Sequence, residues 1–392
     1  MVKFKLKNRQ ITPSLLISIL GLIGGSTNSL AAGSQPKIQL TTVPPIEQVV
    51  PADKPVKLTF QAVDEQGKRV EKAKIRLQIF TPAKTPWLTS DFPIVEGTQL
   101  LDLEAFASTG ELQLQKVLPI RGKYQLIVDV QPIDGKAFTP TQQTFTVSVP
   151  EKSVKYLNFG ILAVVLLGVG LGGGWVLGES QKTLPGEIAP ERVRLLLSGA
   201  ILVAIASLLV VNIRAELAES HHHGDHVHGK HSHSEDRPSP ALQTKWLGED
   251  QATVGKLAQI GLQLSDRNTG NPITDAVLQV KAIGNEHNET VFLYQGVPDA
   301  TGKLTWQQQF FDGAPHTIQV KVSPQPGATR QFPSFQVSQE IEVAGVAPPL
   351  SVRFITLAYL TGILVLGLGL GIKLRRSPKF LQFAQRPKTQ EL

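Results

Sequence analysis

Apolar and polar residues alternate with a period of two in several short stretches of the chain. Between positions 56 and 149 these stretches read VKLTFQAVD, AKIRLQIF, ELQLQKVL, YQLIVDV and QTFTVSV, and turn signals such as DEQGK and IRGK separate them. Such alternation places every second side chain on one face of a strand, so each stretch predicts a half-buried β-strand. Regularly spaced strands over about 110 residues predict an immunoglobulin-like β-sandwich, although a jelly roll or small barrel would give a similar pattern.

The same layout occurs twice along the chain. TGELQLQ at Thr109 corresponds to TGKLTWQ at Thr301, and YQLIVDVQP at Tyr124 corresponds to HTIQVKVSP at His316, both at an offset of 192 positions. Upstream, DEQGKRVEKAKIRLQ aligns with DRNTGNPITDAVLQV. We therefore expect a duplicated unit, with one sandwich over 33–155 and another over 244–350, each followed by a membrane anchor.

Three long apolar blocks without a charged side chain break this strand pattern, at 157–177, 195–213 and 354–372. Each has the roughly 20 residues that a helix needs to cross a bilayer, so we expect three transmembrane helices. Glycines at 168, 170, 172 and 174 in the first block, and at 367 and 371 in the third, have the spacing that lets helix backbones approach closely. The predicted fold class is thus all-β extracytoplasmic domains with transmembrane α-helices.

The N-terminal segment has the three parts of a secretory signal peptide, over 1–32. Four basic residues precede a short apolar stretch, and NSLAAG follows it. An uncleaved anchor is the alternative, but the apolar run is shorter than a membrane span. A signal peptide directs the chain that follows it out of the cytoplasm. With three membrane crossings, both sandwiches and the 214–243 linker would lie outside, and the 178–194 loop and the 373–392 tail would lie in the cytoplasm.

The charge distribution agrees with that topology. The chain has a net charge of +7, and six of its basic residues lie in the 373–392 tail. Positive charge on the cytoplasmic side is the usual bias in membrane proteins, so this charge does not indicate nucleic-acid binding. We expect an integral protein of a bacterial plasma membrane, or of an internal membrane where the host has one.

Composition and motifs narrow the possible chemistry. The chain has no cysteine, which excludes disulfides and thiolate ligands. Its single methionine is the first residue. It has no nucleophile elbow, zincin motif or P-loop. We therefore expect neither an enzyme nor an organic cofactor, and we interpret His287 and His316 as ordinary strand or loop residues.

Seven of the nine histidines lie together in ESHHHGDHVHGKHSH, within the 214–243 linker and at the expected base of the second sandwich. In an extended chain alternate residues point the same way, so each HxH pair can offer two imidazoles to one ion. Neutral imidazole suits Zn, Ni, Co or Cu(II). The candidate metal ligands are His221, His222, His223, His226, His228, His231 and His233.

Glycine and serine among these histidines favour exchangeable binding over a rigid catalytic centre. We expect capture of a divalent metal and its transfer to a membrane partner, such as a transporter or an assembly factor. A hydrophilic spacer and a pH-sensitive loop are alternative interpretations. A further alternative is a structural subunit whose sandwiches dock a membrane complex, with the histidines incidental.

One short pattern opens a strand in both repeats: an aspartate, a glycine turn, a β-branched residue and an alanine. Its positions are Asp64, Gly67, Val70 and Ala73 in the first repeat, and Asp266, Gly270, Ile273 and Ala276 in the second. It resembles the start of bacterial immunoglobulin-like exported domains of the YtkA-like type. The resemblance implies exported modules near metal or oxidase-assembly systems. Copper-binding members use methionine and histidine, and the first repeat here has neither.

Overall fold

The computed structural model describes residues 35–85, 90–135, 137–178, 193, 242–286 and 288–376. The predicted signal peptide, the 195–213 block and the seven-histidine segment therefore lie outside the described residues. The alternating stretches form strands, with the apolar side chain of each pair buried, as in Val56–Val63 and Ala73–Phe80.

The first repeat contains seven strands and the second contains eight. In the first they are β1 (Lys37–Val43), β2 (Val56–Val63), β3 (Ala73–Phe80), β4 (Gln99–Ala107), β5 (Glu111–Lys116), β6 (Gly122–Pro132) and β7 (Thr141–Val149), with a 3-10 turn at Ile46–Gln48. In the second they are β8 (Leu242–Gly248), β9 (Gln251–Thr253), β10 (Leu257–Asp266), β11 (Ala276–Gly284), β12 (Glu289–Gly296), β13 (Lys303–Gln309), β14 (His316–Pro324) and β15 (Phe335–Ala344).

Each repeat is a two-layer sandwich with the same strand order. In the first repeat, β1-β2-β5 faces β7-β6-β3-β4; in the second, β8-β10-β13 faces β15-β14-β11-β12, and β9 is added beside β15. The prediction of an immunoglobulin-like sandwich is confirmed in this arrangement. β4 pairs with β3, and the equivalent strand β12 pairs with β11. Each therefore lies in the sheet opposite the β1-β2-β5 or β8-β10-β13 strands of its own repeat.

The two sandwiches are fused through both of their sheets. β5 pairs antiparallel with β12, with Leu114 opposite Tyr294, and β4 pairs antiparallel with β13, with Leu103 opposite Trp306. Since β5 corresponds to β13 and β4 to β12, each seam is the symmetry mate of the other. The repeats are therefore related by a pseudo-two-fold axis, as in an isologous dimer, and form one 8-stranded and one 7-stranded sheet.

One hydrophobic core runs through both repeats and across the seams. It includes Phe60, Leu77 and Leu103 of the first repeat and Phe292 and Val320 of the second. Fusion also covers the edges of β4, β5, β12 and β13, which would otherwise present unpaired backbone groups. The repeats are therefore one folding body within the described part of the chain, and not two sandwiches that are merely tethered.

Two apolar helices, α1 (Ser153–Leu177) and α2 (Leu350–Arg376), follow the two sandwiches and pack against each other. Glycines line the contact: Gly170 and Gly174 face Gly367 and Gly371, and a methyl group at any of the four would overlap backbone of the other helix. Gly170 meets Gly367, and four residues later Gly174 meets Gly371. Residue numbers therefore increase in the same direction along both helices, so the helices are parallel. The close backbone approach that the glycine spacing allows is present at these four positions, whereas Gly168 and Gly172 lie outside the contact.

Both helices are long and apolar enough to cross a membrane, by length and composition. Their outward side chains, such as Leu157, Val164, Phe354 and Leu366, are exposed and apolar, as expected of a lipid-facing surface. The helices extend beyond the predicted blocks, since the first begins at 153 and the second runs from 350 to 376.

Candidate functional site

The metal ligands predicted from the sequence, from His221 to His233, lie outside the described residues. The structure does place the C-terminal end of their linker. Leu242 begins β8 opposite Asp266, the last residue of β10. That is the end of the sandwich remote from α2, because β15 leads into α2 from the other end, where His316 pairs with Ile341. The linker therefore joins the second sandwich at the end remote from α2. The position predicted for the seven histidines concerns residues outside the described part of the chain.

Among the described residues, no group of three His, Cys, Asp or Glu side chains is gathered closely enough to hold a metal ion. The chemistry that the structure does bring together lies at the start of β6 in the first repeat and of the equivalent β14 in the second. There, Tyr124 begins the buried part of β6 and His316 begins β14.

In the first repeat, this position is a tyrosine corner. The Tyr124 hydroxyl donates a hydrogen bond to the Ile120 carbonyl oxygen at 2.7 Å and accepts one from the Ile120 amide at 2.9 Å. Such a corner is a hallmark of immunoglobulin-like sandwiches. Burial raises the pKa of the Tyr124 hydroxyl, so it stays protonated and able to donate.

In the second repeat, His316 replaces the tyrosine, and Asp312 replaces Ile120 at the same offset of 192. The His316 side chain is 1% exposed, and its Nδ1 lies 2.8 Å from the Ala314 carbonyl oxygen. Its Nε2 lies 3.5 Å from Asp312 Oδ1, and neither of these two buried atoms has a hydrogen-bond partner. The ring of Phe310 packs against the imidazole, with 4.6 Å between ring centroids.

Burial lowers the pKa of His316, and the Asp312 carboxylate and the Ala314 carbonyl oppose this effect. Lys116 lowers the same pKa through its charge. Lys116 is itself fully buried, with its ammonium 5.4 Å from the centre of the Phe292 ring. A histidine, a lysine and a carboxylate thus meet beside one seam, where sequence reasoning treated His316 as an ordinary residue. The alignment of His316 with Tyr124 was the available signal.

A cavity of about 310 Å³ adjoins this group, between the two repeats. Phe92 and Val117 of the first repeat and Gly284, Val291 and Phe311 of the second form its apolar walls. Four carboxylates line it as well, those of Asp53, Glu286, Glu289 and Asp312. The cavity therefore favours a cation over an anion.

A second cleft, of about 620 Å³, lies beside the start of α1 and is larger. Its charges are paired: Arg121 contacts Glu151 at 2.6 Å, and Lys155 contacts both Glu151 and Asp91. These ion pairs link the sandwich to the first turn of the helix. We interpret this cleft as the joint between sandwich and anchor and not as a binding site.

No known protein family matches the chain, and a comparison with curated proteins finds no match. Solved structures with a similar arrangement of strands include the CARDB domain of PF1109 from Pyrococcus furiosus in complex with di-metal ions, at 14% identity over 28% of this chain and 96% of that chain, with a TM-score of 0.20. The adhesin InvE of Yersinia pseudotuberculosis matches at 9% identity over 78% of this chain and 60% of its own, with a TM-score of 0.18. Invasin, a bacterial integrin-binding protein, matches at 12% identity over 81% of this chain and 41% of its own, with a TM-score of 0.20. At such scores these similarities carry no argument about function.

Proposed function

We propose that the chain is a membrane-anchored, non-enzymatic accessory protein that collects a divalent transition metal outside the membrane and passes it to a membrane partner. The observation that supports this proposal is the parallel packing of α1 and α2 through Gly170, Gly174, Gly367 and Gly371. If both helices span the bilayer, both sandwiches lie on the same side of it, since each precedes its helix.

The chain must then return through the membrane between Leu177 and Leu242. The 195–213 block has the length and composition for that crossing. Such a return would place the histidines between the membrane surface and the distal end of the second sandwich. The same proposal includes a signal peptide at the N-terminus, sandwiches of the YtkA-like type and location in a bacterial plasma membrane.

Isothermal titration calorimetry on the full chain in detergent micelles, with Zn, Ni, Co and Cu(II), tests this function. We expect the histidine segment to bind one or two exchangeable ions, and this share of the binding to be lost when the seven histidines from His221 to His233 are replaced by alanine. Binding that is unchanged by the replacement, or weaker than about 100 μM before it, would contradict metal collection at this segment.

A second candidate function is a docking subunit for a two-fold or pseudo-two-fold membrane complex, with the histidines incidental. It is favoured by the fused seams, which make the paired sandwiches one rigid platform on a two-helix anchor. Co-purification of a membrane partner that survives replacement of the seven histidines would support docking. Its loss on that replacement would support metal transfer.

A further inference from the structure

The contact between His316 and Asp312 is incomplete as it stands. His316 Nδ1 must carry a proton, because its neighbour at 2.8 Å is a carbonyl oxygen, which can only accept. In the neutral ring, Nε2 then presents a lone pair, and 3.5 Å away Asp312 Oδ1 presents another. Both atoms are buried without a partner. Two buried acceptors that face each other are costly unless a positively charged group lies between them.

The separation of the two atoms suits a shared metal ion. Zinc binds imidazole nitrogen and carboxylate oxygen at about 2.0–2.2 Å in tetrahedral geometry, which places two ligand atoms roughly 3.3–3.5 Å apart. The 3.5 Å between Nε2 and Oδ1 falls in that range. Phe310 and the Ala314 carbonyl fix the imidazole, so one ligand is preorganised in tautomer and in orientation.

The sheet leaves room beside this pair. Gly284 on β11 lies between His316 on β14 and Glu289 on β12, as the cross-strand neighbour of both. A side chain there would lie against the imidazole, since a Cβ at Gly284 would be 3.6 Å from Nε2. The glycine therefore leaves space beside Nε2 that a side chain would occupy.

We propose that His316 and Asp312 form the fixed half of a second divalent transition-metal site, in the cavity between the repeats, with water completing the coordination. The donor set of one imidazole and carboxylate oxygens suits zinc best among the common ions. Asp53 and Glu286 at the cavity mouth attract the cation. The buried charge of Lys116 opposes it, so this is an exchangeable site of moderate affinity.

This site is independent of the histidine segment, so it is tested in the full chain with alanine at all seven positions from 221 to 233. In that background, calorimetry with Zn²⁺ should still detect one ion per chain, and Co²⁺ should give the visible absorption of a tetrahedral site. Absence of both signals in this background would overturn the second site and leave the proposed function of the segment unaffected.

Two substitutions in the same background assign the ligands. His316→Tyr removes the imidazole and introduces the residue that the first repeat uses for its corner, so the fold should be retained. Asp312→Asn keeps the shape and removes the carboxylate. Each should weaken Zn²⁺ binding by about tenfold or more, since even the loss of an outer partner of a metal ligand has that effect.

Tyr124→Phe, at the equivalent position of the first repeat, is the matched control and should leave the Zn²⁺ affinity unchanged. Thermal unfolding of each variant without metal shows whether it folds. If His316→Tyr does not fold, Asp312→Asn alone decides the assignment. Zn²⁺ affinity that is equal in the background and in every folded ligand variant would overturn the proposal.

Discussion

Lys116 and Gln308 occupy equivalent positions in the two seams, and both are buried within the sheets. Lys116 at the end of β5 lies opposite Phe292, and Gln308 near the end of β13 lies opposite Leu101. Their exposed fractions are 1% and 0%. The seam of β4 and β13 also buries Gln309, whose exposed fraction is 1%, so both seams place polar side chains in a largely apolar core. The Gln308 side-chain amide has no hydrogen-bond partner among the described residues, and the Lys116 ammonium lies over the Phe292 ring.

The buried lysine should make stability depend on pH. Burial lowers the pKa of Lys116 from its ordinary 10.5 to about 7. Between these values the unfolded chain binds the proton and the folded chain does not, so the free energy of unfolding should increase from pH 7 to 10.5. Below pH 7 both states are protonated, and the full cost of burying the charge remains.

Lys116→Met removes that cost and should stabilise the protein by a few kcal/mol at pH 6. The gain should shrink as the pH rises towards 10. Denaturant unfolding of both proteins at pH 6 and 9.5 measures the difference, with Gln308→Met as the control that carries no charge. A gain that is the same at both pH values would contradict the buried charge as its source.

The tyrosine corner should contribute to stability through its two hydrogen bonds. Tyr124→Phe keeps the ring and removes the hydroxyl, which leaves the Ile120 amide and carbonyl without this partner. We expect a loss of about 1–3 kcal/mol in the free energy of unfolding, since buried backbone groups are left unsatisfied. Chemical denaturation measures this loss. An unchanged midpoint would show that water replaces the hydroxyl.

The glycine contact between α1 and α2 should tolerate no side chain. Gly174→Leu would drive the new side chain into the Leu368 backbone, whereas Gly172→Leu has no neighbour within 4 Å of the added Cβ. We expect the first substitution to separate the helices and lower stability by about 1–3 kcal/mol, and the second to have little effect. Thermal unfolding in detergent compares them. Equal effects would contradict the packing.

The chain has no cysteine, so single cysteines report its topology without background. Ser180→Cys and Ser377→Cys should be protected from a membrane-impermeant thiol reagent in intact cells, because the proposed topology places both in the cytoplasm. Ser239→Cys should be labelled. Labelling of Ser180→Cys together with protection of Ser239→Cys would show that the topology is the reverse of the proposed one. If both positions are labelled, or both are protected, the chain does not cross the membrane at 195–213.

Much of the local structure was predictable from alternation and length. The period-two pattern located β2, β3, β5, β6 and β7 because one face of each strand is buried, which is the condition that the pattern reports. Strand β4, with the sequence QLLDLEAFA, was not predicted, because it is buried at Leu100 and Leu101 on both faces beside the seam and does not alternate cleanly. A strand that is covered on both faces loses the alternating signal.

The sequence by itself determined the duplication, most of the strands, the two described apolar helices and their glycine spacing, since each depends on periodicity or on composition along the chain. Only the tertiary structure decided that the sandwiches fuse through β5 with β12 and β4 with β13. Edge-strand pairing uses backbone groups that every residue carries, so it leaves little trace in residue type. For the same reason, His316, Asp312 and the cavity beside Gly284 became visible as one group only when strands distant in sequence were placed side by side.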